Sequence, residues 1–151
     1  MTSLQDALTA LTAQPPQDPE MLSGTAEYAL RAVVYIARRG TEVPVQADDL
    51  AEAVDVPRNY LGKVLHQLVR AGILQSSRGK NGGFKLARDP KDLTLLEIAS
   101  LFDRLEGRRH CLLGRPECSD TNPCPVHHRW RETSEQISRF FRETTLADVI
   151  A

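Results

Sequence analysis

The sequence predicts a mainly α-helical protein with a small β-hairpin wing: a winged helix-turn-helix domain followed by a long C-terminal dimerisation helix. Three observations carry that prediction. A short helical pattern ends in the turn Asp55-Val56-Pro57 and is followed at once by a longer amphipathic one. Two short apolar runs then flank Ser76-Ser77-Arg78-Gly79-Lys80-Asn81-Gly82-Gly83, a turn too polar and too permissive in backbone to be core. The span from Arg58 to Arg88 holds Arg58, Lys63, Arg70, Arg78, Lys80, Lys85 and Arg88 without one Asp or Glu, although the whole chain has a net charge of only -1.

Residues 1–20 are expected to form a mobile N-terminal arm. Leu4, Leu8 and Leu11 could make two turns of amphipathic helix, but Gln14-Pro15-Pro16-Gln17-Asp18-Pro19 stops any regular element, and so short a helix is marginal alone. Met21 reads as a second start of translation. Residues 21–90 are expected to be the winged helix-turn-helix domain. Its first helix, Ser23 to Arg39, is apolar around most of its circumference, capped by Ser23 or Thr25 and ended by Gly40. Asp48 or Asp49 can cap the next helix, and Pro57 suits the first position of the one after. In that helix Tyr60, Leu61, Val64, Leu65, Leu68 and Val69 form the apolar stripe, while Ile73-Leu74 and Phe84-Lys85-Leu86 read as the two strands.

Residues 91–151 are expected to hold a further helix, a cysteine loop and the dimerisation helix. Thr94-Leu95-Leu96-Glu97 matches a capping box leading into Ile98, Ala99, Leu101, Phe102 and Leu105, with the helix ending near Gly107. From Trp130 a helix resumes with Trp130, Ser134, Ile137 and Phe141 at steps of four, three and four. So narrow a seam on a charged helix suits pairing with a second copy.

With 41% apolar and 5% aromatic residues, the 151-residue chain can bury one core made mostly of Leu, Val, Ile and Ala. A net charge near zero excludes a nonspecific polycation, so binding to double-stranded DNA has to come from local charge. No apolar run approaches a membrane span, and the start lacks a basic-then-apolar signal pattern, so a cytoplasmic protein is expected.

In a helix-turn-helix the second helix enters the major groove with its N-terminal residues near base edges, while cations on either side reach phosphates. That assigns Arg58, Asn59 and Lys63 to the reading helix and Arg78, Lys80 and Asn81 to the wing. A merely solvated basic face would not explain why the charge coincides with a helix pair and a glycine-tipped hairpin.

Cys111, Cys118 and Cys124 are the only cysteines, separated by six and then five residues, and His127 follows after two more. A structural disulfide is the least favoured reading of three thiols in a cytoplasmic protein. Arg108, Arg109, Arg115, His127, His128 and Arg129 lie close in sequence and favour thiolate, which suits metal ligation or redox sensing. Soft thiolates select zinc, copper(I) or iron–sulfur clusters. Zinc sites usually bring their ligands in closer pairs, and a cluster would need a fourth donor from elsewhere.

Glu27-Tyr28-Ala29-Leu30-Arg31, the wing residues Ser77-Arg78-Gly79 and Gly82-Gly83-Phe84-Lys85-Leu86-Ala87-Arg88, and three spaced cysteines before Trp130 together resemble the Rrf-two type of bacterial repressors. The resemblance runs from Met21 to about Phe141. It implies a homodimeric winged-helix repressor that binds an operator and senses redox, nitric oxide or iron–sulfur status. The sensor it implies is an iron–sulfur cluster, of two irons and two sulfides, on Cys111, Cys118 and Cys124. By position His127 matches the fourth ligand of the iron–sulfur-assembly branch, and Glu27 sits where the nitric-oxide branch uses an acid. Two departures stand out: the first cysteine gap is one residue longer than in the assembly branch, and Gly62 occupies a reading-helix position where that branch has a glutamate. Some members lack a cluster, so a zinc site or a bare thiol switch is the alternative. An enzyme is not expected, since the chain has no Cys-x-x-Cys pair and no phosphate-binding glycine loop between strand and helix.

Overall fold

The computed structural model describes residues 21–105 and 111–151. The expected arm at 1–20, the helix end near Gly107, and Arg108 and Arg109 lie outside the described residues. In chain order the helices are α1 (Gly24–Arg38), α2 (Ala47–Val54), α3 (Arg58–Arg70), α4 (Leu95–Ala99), α5 (His127–Glu143) and α6 (Leu146–Ile150). Strands β1 (Leu74–Ser77) and β2 (Gly83–Leu86) stand between α3 and α4, and a 3-10 turn covers Pro90–Asp92.

α1 is the central post. Ser23 caps it by accepting from the Ala26 amide at 3.2 Å. Ala26, Ala29, Ala32, Val33, Ile36 and Ala37 are buried at helical spacing, and α2, α3, β2, α4 and α6 all pack against them or their neighbours. Small residues on this face let several elements approach one helix.

The turn between α2 and α3 rests on Asp55, held in the left-handed region (φ 54°, ψ 56°), which a short acidic side chain tolerates better than most. Its details differ from expectation. Neither Asp48 nor Asp49 caps α2; the chain enters from Gln46, and both carboxylates fall in the first turn, where the helix dipole favours them. Pro57 is the cap of α3 rather than its first residue.

β1 and β2 pair antiparallel with Leu74 opposite Leu86 and Ser77 opposite Gly83. β2 contains the predicted run Phe84-Lys85-Leu86 and adds Gly83, while β1 begins one residue later than predicted and continues to Ser77; Val45 then bridges to Phe84 on the other side of β2. The Val45 amide donates to the Phe84 carbonyl and the Phe84 amide donates back, both at 2.8 Å. Gly83 makes this approach possible: at φ +148° an added Cβ would lie 2.4 Å from the Val45 carbonyl oxygen.

The capping box at Thr94 and Glu97 forms as predicted, but α4 stops at Ala99 instead of continuing through Leu105. The amides of Phe102 and Asp103 fold back onto the Ala99 carbonyl, and the Asp103 carboxylate accepts from the Ser23 amide at 2.7 Å. An unsatisfied amide at the head of α1 therefore wins over helix propagation. α5 begins three residues before Trp130. α6 was not predicted; Thr145 and Asp148 form its capping box, and Leu146 is fully buried. The Leu146 amide donates to Leu93 and the Leu95 amide to Thr144, at 2.7 and 3.0 Å. Leu93, Ile98 and Leu146 join Ile36, Leu50, Leu61, Leu65, Leu68 and Leu74 in one core cluster.

Gly83→Ala is expected to destabilise the fold by about 1–3 kcal/mol, read as a lower urea midpoint in circular dichroism. Gly24→Ala, whose added methyl meets nothing within 4 Å, should leave the midpoint unchanged or slightly raised.

Candidate nucleic-acid interface and thiol site

α3 turns Leu61, Val64, Leu65 and Leu68 into the core and leaves Arg58, Asn59, Lys63, His66 and Arg70 exposed. Asn59, Lys63, His66 and Arg70 follow at steps of four, three and four, so they form one outward stripe. Tyr60 departs from its predicted place among the core residues. It is 39% exposed, its ring meets Tyr28 edge-on at 5.8 Å, and its hydroxyl hydrogen-bonds that of Thr25, so it braces α3 against α1.

Arg78, Gly79, Lys80 and Asn81 are all exposed at the wing tip. The Gly82 amide closes the turn onto the Gly79 carbonyl at 3.0 Å, and a Cβ on Gly82 would lie 2.3 Å from the Ser77 carbonyl oxygen. Gln46 Nε2 donates to the Lys80 carbonyl at 3.0 Å, tying the tip to the start of α2. The wing cations and the α3 stripe therefore belong to one rigid unit.

Two cations of the basic span meet acids from outside it. Arg58 Nε lies 2.6 Å from Asp48 Oδ1 on the surface, which orients the guanidinium at the head of α3. Arg88 donates to Glu97 Oε1 at 2.9 Å and to the Asp92 carbonyl at 2.6 Å. The Arg88 hydrogen bond holds the Glu97 carboxyl below the usual carboxylate range, so Arg88 is a staple between wing and α4.

The three thiols are free; Cys111 and Cys124 are buried and Cys118 is half-buried. The Arg115 amide is the main influence holding the Cys111 thiol below its usual range, helped by the Leu113 amide, a hydrogen bond with Cys124 and the Arg115 charge, against burial. Cys118 Sγ lies 3.1 Å from His127 Nδ1, and His127 Nε2 lies 2.8 Å from Asp120 Oδ1. Arg131 Nη1 reaches the same carboxylate oxygen at 2.8 Å. Cys118 and His127 are thus in direct contact, while Cys124 is one of the groups acting on the Cys111 thiol. Among the described residues no three His, Cys, Asp or Glu side chains converge to hold a single metal ion. Glu27 stands exposed on α1, 3.8 Å from Arg31. Sequence reasoning missed Asp120 and Arg131, whose roles arise only when the loop turns back on α5.

A family model described as Rrf2, iron-dependent transcriptional regulator, matches residues 22–151. A protein of Aquifex aeolicus named as an HTH-type transcriptional regulator is 39% identical over 132 residues, 86% of this chain and 91% of that one. The HTH-type transcriptional regulator IscR of Serratia proteamaculans is 29% identical over 129 residues, 85% of this chain and 78% of that one. The solved structure of CymR, the global cysteine regulator of B. subtilis, has the same fold, with a TM-score of 0.71 at 22% identity over 85% of this chain and 95% of that one. Among the described residues no helix is long and apolar enough to cross a membrane.

Lys80→Ala and Arg78→Ala are each expected to weaken binding to promoter fragments and to flatten the plot of log affinity against log salt by roughly one, in fluorescence anisotropy. In the metal-free protein, thiolate absorbance should show an ionisation below the ordinary thiol range that Cys111→Ser removes. Because the folded pKa is depressed, the stability this ionisation contributes is present above the ordinary thiol pKa and is lost as pH falls through the folded one.

Proposed function

The chain belongs to the Rrf2 family of transcriptional regulators, and from that premise we propose that it is a homodimeric repressor sensing redox, nitric oxide or iron–sulfur status through a cluster on Cys111, Cys118 and Cys124. It is a DNA-binding regulator and not an enzyme. The observation that carries the sensing proposal is the contact between Cys118 and His127, with Cys124 acting on the Cys111 thiol. A tetrahedral zinc ion needs all its ligands around one atom, whereas a two-iron cluster takes two protein donors on each iron. Cys111 with Cys124 and Cys118 with His127 supply that number, and the lowered Cys111 thiol is already disposed toward the thiolate a metal binds.

When bound, the cluster supplies iron that changes charge or takes a small ligand. The chain's own residues do the rest. The Cys124 carbonyl accepts from the His127 amide at 3.0 Å, so the loop runs directly into the first turn of α5. A change in how the thiols are held therefore acts on the base of that helix. Support for a dimer lies along it: Phe140 is 56% exposed, and Trp130 and Ile137 are half-buried. Phe141, expected on the same seam, is buried within its own protomer. A second copy against α5 would present two reading helices to two half-sites, with Arg58, Asn59 and Lys63 over bases and Arg78, Lys80 and Asn81 on the backbone.

A second reading is a thiol switch without a cluster: the Cys111 thiol is lowered, Cys124 being one of the groups that lower it, and a lowered thiol pKa raises the fraction of thiolate open to oxidation. Protein purified without oxygen is expected to be coloured, with about two irons and two sulfides per chain. Colourless, iron-free protein that takes up no cluster on reconstitution would overturn the first reading. A Cys111–Cys124 disulfide, mapped by mass spectrometry after exposure to air, would then establish the second.

A further inference from the structure

His127 begins α5 and is 2% exposed, yet its ring carries two polar nitrogens that both need partners. Nε2 faces Asp120 Oδ1 at 2.8 Å, and Nδ1 faces Cys118 Sγ at 3.1 Å. A carboxylate only accepts, so Nε2 carries the hydrogen of the neutral ring and donates it to Asp120. Nδ1 then keeps its lone pair, and that lone pair points at the thiol.

Asp120 is itself held. Arg131, one turn further along α5, donates through Nη1 to the same oxygen at 2.8 Å, while its Nε reaches Glu135 at 3.3 Å. The His128 ring packs edge-on against His127 at 5.3 Å. Imidazoles that bind metals are commonly oriented by a carboxylate on the other nitrogen, and removing that partner weakens metal binding.

We propose that Asp120, held in place by Arg131, is a positioning residue that fixes His127 in the Nε2–H tautomer and makes Nδ1 the donor atom beside Cys118. The tautomer assignment stands alone. That His127 rather than Glu27 completes the cluster is what the resemblance implies, and the cluster arm of the test below rests on the sensing function proposed above. Glu27 is exposed and sits near Arg31, with no comparable device among the described residues to aim it.

The test uses full-length 15N-labelled protein in two states. In the metal-free protein at mildly alkaline pH, long-range 15N–1H correlations should show His127 as the Nε2–H tautomer. Asp120→Ala should shift it toward the Nδ1–H form, Asp120→Glu should restore it, and Arg131→Gln should fall between. In protein reconstituted with iron and sulfide, Asp120→Ala should lose its cluster to an iron chelator about 10- to 100-fold faster than the wild type. Pulsed electron paramagnetic resonance of the reduced wild type should show an imidazole nitrogen coupling. Glu132→Gln, an exposed change on the same helix, should match the wild type in all three readouts. An Nδ1–H tautomer in the wild type, or one that ignores Asp120→Ala, overturns the role of Asp120. The expected tautomers with no cluster in any variant would uphold that role while defeating the sensing reading alone. A stable cluster without nitrogen coupling would overturn His127 as the fourth donor.

Discussion

The backbone pairing of Val45 with Phe84 is the constraint on which the rest of the molecule depends. Val45 lies in the link before α2 and Phe84 in the far strand of the wing, so two hydrogen bonds lock the helix pair to the hairpin. Neither would hold its shape alone. A two-stranded hairpin is at best marginal in water, and a helix as short as α2 does not persist without tertiary support. Gly83 lets bare backbone come against the Val45 carbonyl, and Gln46 adds a second tie at Lys80. The placement of the exposed stripe of α3 relative to the cationic tip of the wing is thereby tied to the pairing of the strands. Contact with a groove and a phosphate row at once requires such a fixed placement.

The thiol site is built on the opposite principle. Leucines close the core, but the loop from Cys111 to Val126 is held mainly by polar contacts. Arg115 donates to the Asn122 carbonyl, Ser119 meets Thr121, and Asp120 gathers His127 and Arg131. Leu112 and Leu113 stay exposed. A segment with so little buried apolar surface opens at low free energy compared with the core. The helix and wing unit carries the exposed cations, and the polar loop carries the thiols.

Most of the framework was legible because it follows from local periodicity and local caps. The buried face of α1, the stripe on α3 and the Thr94–Glu97 box are all contained within single elements. The errors arise where distant residues meet. α4 ends early because Asp103 bonds to Ser23, and Tyr60 leaves the core because Thr25 and Tyr28 give its ring and hydroxyl a better place. The acid-free span contains no partner for its own cations, and Asp48 and Glu97 reach Arg58 and Arg88 from neighbouring elements. Cysteine spacing pointed to the thiol site, but nothing in that spacing encodes Asp120, which acquires its role only once the chain has turned. α6 is too short to show periodicity, although its Thr145–Asp148 cap could have been read.

The placement of Leu146 has a consequence for biosynthesis. Its side chain fills the same core as Leu93 and Ile98, so that core stays unsealed until α6 has left the ribosome. A product broken off within α5 would present an open apolar hole in place of that leucine, a defect worth about 2–5 kcal/mol for loss of the side chain alone. The closing residue thereby ties a sealed core to possession of the thiol loop and α5, which precede it in the chain.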